Sequence, residues 1–313
     1  MAGLILILAF AAGYAVQRGS TCAVAGVTQL VAERRPERFL GFFMAGAVAL
    51  AVMAAWSTLG HDVFSRYRSA SVLVPPMIGG AIFGCGALLN GACAFGTVAR
   101  LGRGDAARLG TLVGILAGFA LASKLGIRSP VTNLASPLLG LPAASVLAGS
   151  LAVVGLIWIV AGHHAPSDAN GKDWNPLSAL LLIGLINGAL LILSPGWPYT
   201  NLLMDLAGST GMSLAWRSLM TLVFILGAVA GALSAGLFRP HPGGVHRWVR
   251  CLAAGMLMGV GATLVPGGND TMLLVGLPLV LPSFILAYAA MVATMALIIV
   301  VKSTRSGSPI VPA

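Results

Sequence analysis

Apolar residues along this chain come in long runs separated by short polar stretches, and the runs are of two kinds. Five are plain: 39–58, 109–124, 143–162, 217–238 and 281–301. Each is near the ~20 apolar residues that carry a helix across a hydrocarbon core. Four are longer and interrupted: 2–33, 71–103, 177–208 and 249–279. Their centres read Gln17-Arg18-Gly19-Ser20-Thr21-Cys22, Asn90-Gly91-Ala92-Cys93, Ser194-Pro195-Gly196-Trp197-Pro198 and Pro266-Gly267-Gly268-Asn269-Asp270. Gly and Pro break helices, and broken backbone cannot face lipid, so each break must line a cavity or be covered by protein. The pattern predicts a single all-α integral membrane domain over residues 1–313, with about nine transmembrane segments. Four of these would be discontinuous helices with breaks near mid-membrane.

The interruptions recur. Gly80 to Leu89 (GAIFGCGALL) aligns with Gly255 to Leu264 (GMLMGVGATL) at an offset of 175, keeping three glycines, an alanine and a leucine. Gly13 to Cys22 aligns at the same offset with Gly188 to Trp197, mostly by position. Each half then holds four crossings in the order broken, plain, broken, plain: repeat 1 over about 2–125 and repeat 2 over about 177–301. The segment 143–162 lies between them, and one intervening crossing makes the halves inverted. Inverted repeats with breaks at matching places mark transporters, with the substrate site at the breaks.

Charge decides whether the broken segments cross or turn back. With nine crossings and the N-terminus outside, the inner loops hold 12 Lys and Arg and the outer loops 5, whereas turning back gives 8 against 9. The positive-inside rule favours nine crossings and a cytoplasmic C-terminus. Composition agrees, with 58% apolar and only 8% charged residues, too few to coat a soluble globule. The net charge of +10 belongs to the loops that flank hydrophobic segments, so topology explains it and nucleic acid is not an expected partner. The N-terminus lacks a basic n-region and does not read as a cleaved signal peptide.

Chemistry should gather at the breaks. Cys22 and Cys93 each precede a new helical stretch, where unpaired N–H groups and the positive end of the helix dipole favour an anion. The plain alternative is that each is a small packing residue, which is the reading for Cys85 and Cys251. Arg18 stands in the first break, and an intramembrane charge is costly enough to need a partner; Asp270 or a bound anion is the candidate, and the plain alternative is that Arg18 snorkels towards an interface. Asn90, Thr97 and Asn269 could donate hydrogen bonds to an oxyanion, or could join helices. Trp197 and Tyr199 read as gates or as an interfacial aromatic belt. His163 and His164 read as solvated loop residues. The cysteines form no paired metal motif, and no hydrolase, kinase or dinucleotide motif occurs. No cofactor, metal or catalytic group is expected.

The run GCGALLNGACAFGTVARLGRGD, residues 84–105, resembles the YeeE/YedE family of sulfur-transport membrane proteins. LVPGGNDTMLLVGLPLVLP, residues 264–282, is similar to the C-terminal portion of that family. The resemblance implies a bacterial inner-membrane permease in which thiosulfate passes between cysteine thiols along a narrow path. Cys93 matches the family's glycine-rich cysteine loop. The second half carries Gly267-Gly268-Asn269-Asp270 where a cysteine is expected, and Trp197 stands opposite Cys22. The path expected here therefore comprises Cys22, Cys93, Arg18, Asn90, Thr97, Asn269, Asp270 and Trp197. The anion is left open among thiosulfate, sulfite, sulfide and other small sulfur or selenium oxyanions. Rival readings are a membrane-embedded sulfur-transfer enzyme using Cys22 or Cys93, and an anchor for a cytoplasmic sulfur-carrier protein. No histidine lies in any break to serve the former as a base.

Overall fold

A computed structural model describes residues 1–69, 73–127, 134–162, 174–208 and 214–306. The chain is helical throughout these residues apart from turns and two two-residue strands, β1 (Arg68–Ser69) and β2 (Leu134–Ala135), which pair antiparallel. The helices are α1 (Ala2–Arg18), α2 (Ala23–Thr28, running into a π turn at Gln29–Glu33), α3 (Glu37–Thr58), α4 (Val74–Asn90), α5 (Ala94–Gly102) and α6 (Arg108–Lys124). They continue as α7 (Ala143–Gly162), α8 (Pro176–Leu193), α9 (Tyr199–Gly208), α10 (Leu214–Ser234), α11 (Val245–Leu264), α12 (Asn269–Thr271, running into a π turn at Met272–Gly276) and α13 (Pro282–Ser306).

Among the described residues, seven helices are long and apolar enough to cross a bilayer, or eight if the bent pair Val245–Leu264 and Asn269–Gly276 is one span. The chain is a multi-pass membrane protein. The remaining expected crossing, α6, has 17 residues, a length of about 26 Å at the usual rise per residue. His163 and His164 lie outside the described residues.

Local sequence explains where the helices begin and end. Pro75 and Pro76 open α4, in the first turn where a missing N–H costs nothing. Gly91 closes that helix in the left-handed conformation (φ 72°), and its N–H bonds back to the last turn. Asn175 caps α8 by accepting from the Leu177 N–H at 2.9 Å, with Pro176 at the first helical position.

Small residues let these helices touch backbone to backbone, as lipid-embedded bundles require. Helix α11 lies against α6 and α4, α13 against α4, α1 against α10, and α3 against α8 and α7. A methyl group at Gly86 of α4 would come 2.8 Å from the Ala254 carbonyl oxygen of α11 and crowd Met258. Across the same contact, a methyl group at Gly261 would come 2.5 Å from the Gly79 carbonyl oxygen and crowd Phe83. Gly80 and Gly84 face Ala287 and Met291 of α13, while Gly255 and Gly259 face Gly114 and Gly118 of α6. Helix α7 is only 17% buried over its apolar window, so most of its surface is left to lipid.

Candidate functional site

Four helices start at one place in the interior. Cys22 precedes α2, Cys93 precedes α5, Pro198 precedes α9 and Gly268 precedes α12. Cys93 is completely buried, and its Sγ accepts the Ala23 N–H at 3.1 Å, so the start of α2 is tied to the start of α5 by sulfur. Cys22, the residue before Ala23, is thereby brought beside Cys93. Gly96 makes this contact available, since a methyl group there would lie 2.6 Å from Cys22 Sγ. Asn269 joins the first half to the second: its Oδ1 accepts the Ala94 N–H at 3.0 Å. That orientation leaves Asn269 Nδ2 buried with no hydrogen-bond partner among the described residues. The Tyr288 hydroxyl, within electrostatic reach of Cys93, is buried and unpartnered in the same sense. Tyr199 donates to the Ala94 carbonyl at 3.0 Å and closes another side of the site.

The second-half starts are held by a carboxylate. Asp270 accepts the Thr200 hydroxyl at 2.5 Å, the Thr200 N–H at 3.3 Å and the Thr271 N–H at 3.0 Å. The Gly268 N–H in turn donates to Thr200 Oγ1 at 3.1 Å. The expected Arg18–Asp270 pair does not form. Arg18 Nη1 instead donates to Ser234 Oγ at 3.3 Å, and its guanidinium carbon lies 5.6 Å from the centre of the Trp174 ring. Asp270 is completed by hydroxyl and amide donors, and Arg18 lies where α1 ends beside the last turn of α10.

Asn90 and Thr97 are committed to the loop that presents Cys93. Asn90 Nδ2 donates to the Ala92 carbonyl and to Thr97 Oγ1, both at 2.9 Å, and the Thr97 hydroxyl donates to the Cys93 carbonyl at 2.9 Å. Asn90 Oδ1 accepts from Thr111 at 2.8 Å and from Arg108 at 2.9 Å. Arg108 has no exposed side-chain surface and pairs through Nε with Asp105, which also binds Arg247 at 2.6 Å. Arg108, the first residue of α6, is in this way the rivet of the Cys93 loop. Trp197 is buried against Phe224, and its Nε1 donates to Asn187 Oδ1 at 3.0 Å. Cys251 is buried and Cys85 is exposed on the apolar surface.

Tyr288, Thr200, Asn187 and Arg108 all escaped the sequence reading. Isolated polar residues within apolar runs were the available signal for Tyr288 and Asn187. Nothing in the local sequence of Thr200 announces its carboxylate partner 70 residues away. A narrow void beside the thiols, lined by Thr21, Phe95, Leu273, Leu274, Val16 and Phe42 among others, has room for about one water.

Residues 18–297, which include the polar loop that presents Cys93, match the sulphur-transport family. The chain belongs to that family. Among curated proteins, this family member is 22% identical over 295 residues to the thiosulfate transporter TsuA of Escherichia coli (strain K12), covering 82% of this chain and 81% of that one.

Proposed function

We propose that this sulphur-transport family member carries a small sulfur anion, thiosulfate first among the candidates, across the bacterial inner membrane at the point where the four helix starts meet. The observation that carries the reading is the Asn269 side chain: its oxygen is used by Ala94 N–H, while its buried Nδ2 is left as an unused donor beside Cys93. A buried donor without a partner is costly, and an oxyanion with an N–H, S–H and O–H supplied by Asn269, Cys22 and Tyr288 would remove that cost. Thiols are weak donors, which suits a path that must admit its ion and release it. No covalent step is needed. Asn90, Thr97 and Arg108 hold the Cys93 loop in place, and Trp197 with Asn187 walls the second half.

The same reading includes nine crossings, a cytoplasmic C-terminus and two inverted repeats built on discontinuous helices. Three observations favour the repeats. Exchanging α1, α3, α4, α6 with α8, α10, α11, α13 turns the contact α6–α11 into α13–α4, and α1–α10 into α8–α3. At the offset of 175, Gly86 on Ala254 and Met258 becomes Gly261 on Gly79 and Phe83. Cys93 (φ −78°, ψ −174°) and Gly268 (φ −77°, ψ −176°) stand at that same offset with nearly identical backbones. Each half also brings an arginine to a break, Arg18 at the first and Arg217, paired with Asp205, against Gly196 at the third. These would attract an anion from opposite sides.

Purified protein in liposomes should take up labelled thiosulfate faster than protein-free vesicles. Asn269→Asp keeps the acceptor for Ala94 N–H but replaces the free donor with an oxygen, and should lower uptake by roughly tenfold, equivalent to one charge-assisted hydrogen bond. Uptake no faster than in protein-free vesicles would overturn the transport reading.

A further inference from the structure

Asp270 is only 1% exposed, yet none of its hydrogen-bond partners carries a positive charge. They are the Thr200 hydroxyl, the Thr200 amide and the Thr271 amide. The ionisable and charged groups on the surrounding elements do not neutralise it. Tyr199 and Asp205 lie on α9, with Asp205 paired to Arg217. Cys93 and Arg100 lie on α5, Cys22 at the start of α2, and Tyr288 on α13. Asn269, the residue before Asp270, reaches the start of α5. An anion at the Cys22–Asn269 donors therefore stands within a few side chains of a buried carboxylate, at a place where Cys93, Asn269 and Asp270 are all shielded from solvent.

Resting on the transport reading above, we propose that Asp270 binds a proton whenever the anion occupies the site, so that passage of the anion is coupled to movement of protons. Like charges in a buried site disfavour joint ionisation, and the linkage is reciprocal: an arriving anion favours the protonated carboxyl, and protonation favours the anion. The proton enters from the water on the anion's side and leaves with it. The position also gives the proton a mechanical consequence. Ionised Asp270 takes the Thr200 hydroxyl proton, and Thr200 Oγ1 in turn takes the Gly268 N–H, so one carboxylate fastens the start of α9 to the start of α12. A protonated carboxyl offers its own O–H and one fewer strong acceptor, which slackens that fastening. The first half has no counterpart, because sulfur rather than a carboxylate ties α2 to α5.

The test is a ratio. Liposomes with the membrane potential clamped by potassium and valinomycin are loaded with a pH-sensitive dye and given labelled thiosulfate, which enters fully deprotonated at neutral pH. Wild-type protein should acidify the lumen by about one proton per anion, as one carboxyl allows, and an acidic exterior should speed uptake several-fold. Asp270→Asn, whatever its uptake rate, should bring the proton-to-anion ratio close to zero and remove the response to external acid. Labelled uptake by wild type without acidification overturns the coupling alone, as does an unchanged ratio in Asp270→Asn. Absence of any uptake overturns the transport reading and this inference with it. Should Asp270→Asn not fold, the wild-type ratio decides.

Discussion

The two halves of this molecule present nearly the same backbone at their central helix starts and fill it with different chemistry. At the start of α5, Cys93 receives the Ala23 N–H through its sulfur, which sets Cys22 beside it. At the start of α12 the equivalent position is Gly268, and Asp270 and Thr200 make the tie. A methyl group on Gly268 would come 2.6 Å from Asp270 Oδ1 and 2.8 Å from Thr200 Oγ1. Asp270 and Thr200 thus leave little room for a side chain at Gly268. A carboxylate at helix N-termini satisfies their N–H groups and their dipoles, so the second half already holds an anion of its own. In the first half the Ala23 N–H is taken by the Cys93 sulfur and the Ala94 N–H by the Asn269 side-chain oxygen, with no carboxylate between them. Two helix starts can thus share a local backbone conformation and be held by different chemistry.

The comparison is tested most severely by its glycines. Gly86→Leu and Gly261→Leu each push side-chain atoms into the facing carbonyl and should each cost about 3 kcal/mol or more through overpacking. Both should abolish monodisperse protein on gel filtration, or lower the thermal midpoint by similar amounts. If one is tolerated and the other is not, the two halves do not share the α4–α11 contact equally.

The cysteines sharpen it at the level of transport. Cys93→Ala should reduce labelled thiosulfate uptake by well over tenfold, and Cys22→Ala by somewhat less. Cys93→Ser should keep more activity than Cys93→Ala, because a hydroxyl can still donate to an oxyanion and accept the Ala23 N–H. Equal inactivity of Ser and Ala would point to thiolate nucleophilicity instead. Full activity in a double Cys22→Ala, Cys93→Ala protein would remove thiols from the path.

The smallest effects should come from groups that serve one half only from outside the meeting point. Thr97→Val removes the hydroxyl that accepts from Asn90 and donates to the Cys93 carbonyl; it should cost about 1–2 kcal/mol in thermal stability and slow uptake only in part. Cys85→Ala, at an exposed apolar position, should change stability by less than about 0.5 kcal/mol and leave uptake unchanged.

The apolar runs, their near-bilayer lengths and the positions of the breaks were legible because a hydrocarbon solvent demands them residue by residue. The bounds moved only slightly: the plain run expected at 217–238 became Leu214–Ser234, and 281–301 became Pro282–Ser306. Cys22, Cys93 and Asn269 were legible as site candidates because cysteine and amide side chains at a break in an apolar run are locally anomalous. Arg108 was misjudged for the opposite reason. Its neighbours Gly104, Asp105 and Leu109 read as a loop giving way to a helix, and its burial rests on Asp105 nearby together with Asn90, 18 residues earlier.

Hydrophobicity and helix-breaking chemistry act on each segment alone, so the sequence by itself determined a multi-pass helical membrane protein interrupted at Cys22, Cys93, Gly196 and Gly268. Which side chain answers which is a property of distant segments brought together, and that was decided only by tertiary structure. Arg18 was expected to find Asp270 because opposite charges in lipid should pair. The fold gave Arg18 the ring of Trp174 and the hydroxyl of Ser234, and gave Asp270 the hydroxyl and amide of Thr200. A buried carboxylate can be held by several hydrogen bonds in place of a counter-charge, and where those donors lie depends on how α9 meets α12, which no local pattern records.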